Sequence, residues 1–175
     1  MTNPISSKAG PAVDSGRAGH TLAAPTLVPH VTALPADERF LLWTLRQWQA
    51  EVVLFETQKK MPAGGSSVFR AFKAEGLQKA LPHFAMVMDS FLGSAVKPLE
   101  IYPLASPIVG PDEATLLALF GLARDGLEMP LTACLSAMLS PQSCTVAVMH
   151  MKLLAGLLGG AGPCSTAPER SGRIN

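Results

Sequence analysis

The sequence has few charged residues and few aromatic ones. Charged residues make up 15% of the chain and aromatic residues 6%, with a single tyrosine, whereas a soluble domain usually carries about 25% charged residues. Hydrophobic residues reach 48%, so a core must be built mainly from Leu, Ala, Val and Met, which favour helices. The low charge leaves little solvating surface, and we expect part of the apolar surface to contact a partner.

Cysteine is scarce, and nothing in its spacing suggests a structural site. The chain has three cysteines, Cys134, Cys144 and Cys164. An odd number without a short paired spacing argues against both a disulfide framework and a zinc site. The net charge is +1, and the basic residues are scattered apart from Lys59-Lys60, which argues against nucleic-acid binding. We therefore predict no metal, no cofactor and no nucleic-acid partner.

The two ends of the sequence have little that could build a core. Residues 1–32 are mostly Pro, Gly, Ala, Ser and Thr, and residues 163–175 have the same character, so both are predicted to be disordered tails. The first twenty residues lack the apolar run of a secretory signal. With reduced cysteines, this favours a cytoplasmic protein. The folded domain is predicted to span residues 33–162.

Proline and capping residues between these tails mark a series of helix starts. The first helix should begin near Pro35 and carry an apolar stripe of Leu41, Leu45, Trp48 and Val52. Further starts are expected after Ser66 or Ser67, at Pro82, at Pro111, and near Pro130 and Pro141, with Ser140 as a cap. The pattern predicts an all-α fold, a compact bundle of five or six short helices.

A proline-rich segment interrupts the helical pattern in the middle of the chain. Pro98, Pro103, Pro107 and Pro111 lie too close together for a regular helix. We expect this segment to be extended and to lie along the bundle as a strap. It contains the only tyrosine, Tyr102.

Few residues suggest chemistry, and none of them forms a recognisable catalytic motif. Adjacent Asp112 and Glu113 could serve as acid and base, but acids that follow a proline are also the expected start of a helix, and we favour that structural role. With Tyr102 they form a possible polar site. A thiol enzyme using Cys144 and His150 would need the fold to bring the two together, and free cysteine usually packs as a small apolar side chain. We predict no catalytic residues.

One long stretch in the final third of the sequence is almost free of charge. Lys152 is the only formally charged residue from Met129 to Pro168. Membrane insertion is disfavoured because a polar break at residues 141–143 and Lys152 itself interrupt the run. Burial in the bundle or in an interface explains the pattern better, and four apolar residues of the last helix are the predicted interaction surface: Val146, Met149, Leu153 and Leu157.

These features support three functional hypotheses. The first is a non-enzymatic module that forms a homo-oligomer or binds another protein. The alternative is a bundle that binds a small apolar ligand, with Tyr102, Trp43 or His83 as its polar contact. An enzyme is third, and it would require two groups within hydrogen-bond reach in a cleft from the following set: His83, Asp112, Glu113, Cys144 and His150.

One resemblance spans about residues 38 to 125. The segment 41–48 (LLWTLRQW), then Pro103, then Asp112-Glu113 followed by Leu116-Leu117, resembles a family of short helical proteins of unknown function from alphaproteobacteria. Members of that family carry cysteines just before the Asp-Glu pair, where this chain has Ser106 to Val109. The departure argues against a metal or redox role here. The resemblance implies a bacterial cytosolic setting and indicates no activity.

Overall fold

The chain folds as a helical bundle in the computed structural model, which describes residues 29–59 and 65–160. Within these ranges there are helices but no strand, which confirms the all-α prediction. A short 3-10 helix (Val31–Ala33) precedes six α-helices: α1 (Ala36–Gln58), α2 (Ser67–Ala74), α3 (Leu81–Ser94), α4 (Pro111–Arg124), α5 (Glu128–Met138) and α6 (Pro141–Gly160). Most of the two predicted tails, residues 1–28 and 163–175, lies outside the described residues.

The helix starts follow from local chemistry, as the sequence predicts. Pro35 directly precedes α1, whose first turn holds Asp37 and Glu38, where the helix dipole favours negative charge. The Ser66 hydroxyl accepts a hydrogen bond from the Phe69 N–H at 3.1 Å and so caps α2. At the other end of a helix, Gly126 has a φ of +70° and ends α4, because this left-handed conformation suits glycine.

Helix α6 lies at the centre of the bundle and packs against α3, α4 and α5. It contributes Ala147, Met151 and Leu154 to the core, all with 0% exposure. Other completely buried apolar side chains come from every remaining α-helix: Leu45, Phe72, Phe84, Val87, Leu116, Leu131 and Leu135. A single core therefore unites the six helices, and α6 is the element on which three of them rest.

The proline-rich segment between α3 and α4 forms no helix, as predicted, and it runs along the bundle with a turn at Leu104-Ala105. At its start the Val96 N–H donates to the Met138 carbonyl at 2.9 Å, next to a bridge between Ala95 and Leu139. Near its end the Val109 N–H donates to the Pro29 carbonyl at 3.0 Å. These backbone bonds connect the strap, residues 95–110, to both α5 and the chain that enters α1.

Candidate functional site

The strap is fixed to α1 and α4 by a buried ion pair that joins Arg46 to Glu113. Arg46 is 4% exposed and Glu113 is 0% exposed. The guanidinium binds the carboxylate with two hydrogen bonds, from Nε and Nη2, both 2.8 Å long. It also donates to the strap carbonyls of Ser106 at 2.7 Å and Ile108 at 2.6 Å. One arginine side chain therefore holds three separate segments of the chain together.

Glu113 is also bound by the backbone. It is the third residue of α4, and it accepts hydrogen bonds from the N–H of Gly110 at 2.7 Å and of Tyr102 at 2.9 Å. Burial alone would raise the pKa of this carboxyl, but the hydrogen bonds from Arg46, Gly110 and Tyr102 outweigh it and lower the pKa below its usual range. The carboxylate stays ionised at neutral pH.

The predicted polar site is assembled at the start of α4, but its groups are occupied. Asp112 accepts a hydrogen bond from the Glu100 N–H at 2.8 Å, and the Tyr102 ring lies against Gly110, where an added Cβ would come within 3.1 Å of it. Asp112 and Glu113 bind different parts of the strap and do not act on a common point. The arrangement supports the structural interpretation of these acids, in which they attach the strap to α4.

The fold does not bring the cysteine and histidine of the hypothetical thiol enzyme together. Cys144 is buried, and its thiol lies 3.8 Å from the Thr132 carbonyl, to which it donates. His150 instead faces His83, with 2.9 Å between their Nδ1 atoms. This pair meets the distance condition of the enzyme hypothesis, but neither histidine lines one of the grooves found among the described residues. In residues 29–59 and 65–160, no three His, Cys, Asp or Glu side chains cluster as metal ligands would.

An open groove of about 660 Å³ lies between α5 and α6. Its floor includes Cys144 and Val148, and its exposed walls form what we call the α5/α6 surface: Glu128, Thr132, Thr145, Met149, Lys152 and Leu153. Met149 is 51% exposed and Leu153 46%. The only charges on this surface are those of Glu128 and Lys152, which form an ion pair with each other.

The four residues predicted as an interaction surface occupy three different settings. Met149 and Leu153 belong to the α5/α6 surface. Val146 is partly buried and lines a shallow groove toward α3 with Met86. Leu157 is also partly buried and packs against the core. The exposed apolar part of α6 is therefore centred on Met149 and Leu153.

A second apolar groove, of about 180 Å³, lies between α1, α3 and the strap. Its walls include Trp48, Phe91, Leu99 and Ile101, with Gln49 as a polar neighbour. The polar contacts predicted for a bound ligand lie elsewhere: Trp43 is exposed on α1, His83 pairs with His150, and Tyr102 packs on Gly110.

Two of these features are not evident in the sequence. Arg46 forms its ion pair with Glu113, which lies 67 positions further along the sequence, and His83 and His150 are also 67 positions apart in the sequence. The one signal for Arg46 is its place four residues after Leu42, which is buried on the same side of α1. A charged residue among helically spaced core residues requires a buried partner.

Neither the search for membrane-spanning helices nor the comparison with known proteins assigns a role to these features. No described helix combines the length and the apolar character needed to cross a membrane. A scan against protein-family models, a search of curated proteins and a search of solved structures each found no match.

Proposed function

We propose that this protein is a non-enzymatic module that associates with a second copy of itself through the α5/α6 surface. The observation that carries the proposal is the exposure of large apolar side chains on two adjacent helices that have almost no charge. Beside the groove, Met129 at the start of α5 is 82% exposed. Contiguous apolar surface of this kind marks a contact site more often than a free surface.

Helix α5 contributes little to the core for its length. Of its eleven residues only Leu131 and Leu135 are buried. Most of its outward-facing residues are small or apolar, and Glu128 is its only charge. A helix that faces water normally shows a charged outer face. The composition of α5 is therefore better suited to a covered position than to solvent.

The charges of the surface favour a second copy over an unrelated partner. Glu128 and Lys152 have opposite signs and lie on the same face. In a two-fold dimer the same patch meets itself, so Glu128 of each copy can exchange its partner for Lys152 of the other. The ion pair can thus be kept in the dimer while Met149 and Leu153 become buried, and methionine is enriched in such interfaces.

The groove between α1, α3 and the strap supports the apolar-ligand alternative less well. A volume of about 180 Å³ is close to that of a cavity that takes one benzene molecule, about 150 Å³. Ligands bound by dedicated pockets usually require about 300 Å³ or more. None of the three polar contacts suggested by the sequence lines this groove, so we favour self-association.

A bacterial cytosol is the setting that we propose for this module. The described cysteines, Cys134 and Cys144, are both free thiols, and Cys134 is exposed. An exposed thiol persists in a reducing compartment. The resemblance to short helical proteins of alphaproteobacteria points to the same setting.

Amide hydrogen exchange at two protein concentrations tests the proposed interface. Between about 5 and 500 μM, we expect exchange at early time points to become slower in α5 and in residues 145–153, because dimerisation covers them. Helix α2, which lies outside the surface, is the internal control and should exchange equally at both concentrations.

Equal exchange of every described helix at both concentrations would show that association does not change over that range. Slower exchange limited to other helices would show that the protein associates through a different face. Either result contradicts the proposal, whereas early protection of α5 and α6 together supports it.

A further inference from the structure

His83 of α3 and His150 of α6 meet across the contact between these two helices. Their Nδ1 atoms are 2.9 Å apart and their ring centroids 5.1 Å apart. Both side chains are partly buried. Neither belongs to the α5/α6 surface, so the chemistry of this pair does not depend on self-association.

The ring geometry distinguishes a shared proton from a shared metal ion. The centroid separation exceeds the Nδ1 separation by roughly 2 Å, about two ring radii, so the nitrogens point almost directly at each other. Two imidazoles that bind one metal ion must instead aim at a point beside the line between them, with each nitrogen about 2.0 to 2.1 Å from the ion. A head-on approach at 2.9 Å leaves room for a proton alone.

The hydrogen bond depends on how many protons the pair carries. When both rings are neutral, one Nδ1–H donates and the other Nδ1 accepts. When one ring is charged, the imidazolium donates to its neutral neighbour, which is a stronger bond. When both rings are charged, two N–H donors face each other without an acceptor, and their positive charges repel. The second proton must therefore break the contact.

No other described charge has a contact that would compensate a doubly charged pair. On the same helices, Asp89 lies in the shallow groove near Met86, and Lys152 is bound to Glu128. Lys79, just before α3, is exposed. The charged groups of α4 and α5 form other pairs: Asp112 with Lys97, Glu113 with Arg46, Arg124 with Asp37, and Glu128 with Lys152.

We propose that His83 and His150 form a proton-operated latch that holds α3 against α6 at neutral pH and releases it when both imidazoles are charged. Because α6 also supports α4 and α5, loosening of α3 affects the element at the centre of the bundle. The latch makes the stability of the fold sensitive to mildly acidic pH.

The direction of the effect follows from the titration of His150. Burial, and then the charge of His83, lower the pKa of His150 from its ordinary value of 6.5. The unfolded chain therefore binds this proton at a higher pH than the folded one does. The contribution to stability is complete above pH 6.5 and is lost as the pH falls below it.

Urea unfolding of the full chain at pH 7.5 and pH 5.0 tests the latch. We compare the wild type with His83→Gln/His150→Gln, which cannot titrate at this position. On acidification, the unfolding equilibrium constant should rise more in the wild type than in the double variant, by an additional factor of about two to ten. A difference of this size corresponds to the loss of one hydrogen bond. His30→Gln, at an exposed histidine bonded to neighbouring Thr32, is the matched control and should behave as the wild type does.

An NMR titration of the His150 ring provides a second result that does not depend on the double variant. In His83→Gln the midpoint of His150 should move to higher pH, because the charge of its neighbour is gone. An identical midpoint in the wild type and His83→Gln, or equal acid sensitivity of wild type and double variant, would overturn the proposal.

Discussion

Replacement of Arg46 by methionine should lower the free energy of unfolding by about 3–5 kcal/mol, the cost of leaving a buried charge without its partner. The guanidinium makes two hydrogen bonds to Glu113 and two to strap carbonyls. Methionine fills much of the same space, so the loss reports on the ion pair and hydrogen bonds more than on packing. Chemical denaturation at neutral pH measures it.

Arg124→Met is the matched control for this substitution. Arg124 pairs with Asp37 at 2.8 Å, but both side chains are nearly half exposed, and such pairs contribute about 0–1 kcal/mol. Adding Glu113→Gln to Arg46→Met should restore part of the lost stability, because the uncompensated charge is removed while one side-chain oxygen remains to accept from either Gly110 or Tyr102, which bind different oxygens of the carboxylate. If Arg46→Met costs no more than Arg124→Met, the strap is not held as we describe.

Leu153→Glu should weaken self-association by about 100-fold. The substitution places a charge where we expect an apolar side chain to be buried, and a two-fold dimer contains the change twice. Complete burial of one leucine contributes about 1.5–3 kcal/mol, and Leu153 is already about half buried in the monomer, so the two copies together lose about 1.5–3 kcal/mol. At about 1.4 kcal/mol for each factor of ten in Kd, the upper end of this range corresponds to about 100-fold. A dilution series followed by light scattering measures the change in Kd.

Leu104→Glu provides a closely matched control. Leu104 is 46% exposed, as is Leu153, but it lies in the strap and outside the α5/α6 surface. The monomer should tolerate both substitutions, because neither leucine is buried, and circular dichroism checks this. Equal Kd values for the two variants would show that Leu153 does not lie in the interface.

The helices could be predicted from sequence because their boundaries depend on neighbouring residues. Pro111 and Pro141 are the first residues of α4 and α6, and a proline there loses no hydrogen bond that the helix would otherwise make. The strap was predictable for the same reason, since four prolines exclude a helix locally. Charge depletion after Met129 indicated an unusual surface, although it did not show which side chains of α6 face outward.

The long-range pairs could not be predicted because they depend on how the helices are arranged. The place of Glu113 just after Pro111 predicts a helix-start acid, and it is one, but its partner Arg46 lies on α1. His83 and His150 each lack a partner at helical spacing, and only the packing of α3 against α6 brings them together. Helix starts are decided by local geometry, whereas these contacts are decided by the tertiary fold.

Sedimentation velocity of the 175-residue chain across a concentration series tests the central claim most directly. We expect the mass to rise from that of one chain, 18.4 kDa, to that of two as concentration increases, and we expect Leu153→Glu but not Leu104→Glu to remain a monomer. A wild-type protein that sediments as a single chain at every concentration would contradict self-association through the α5/α6 surface.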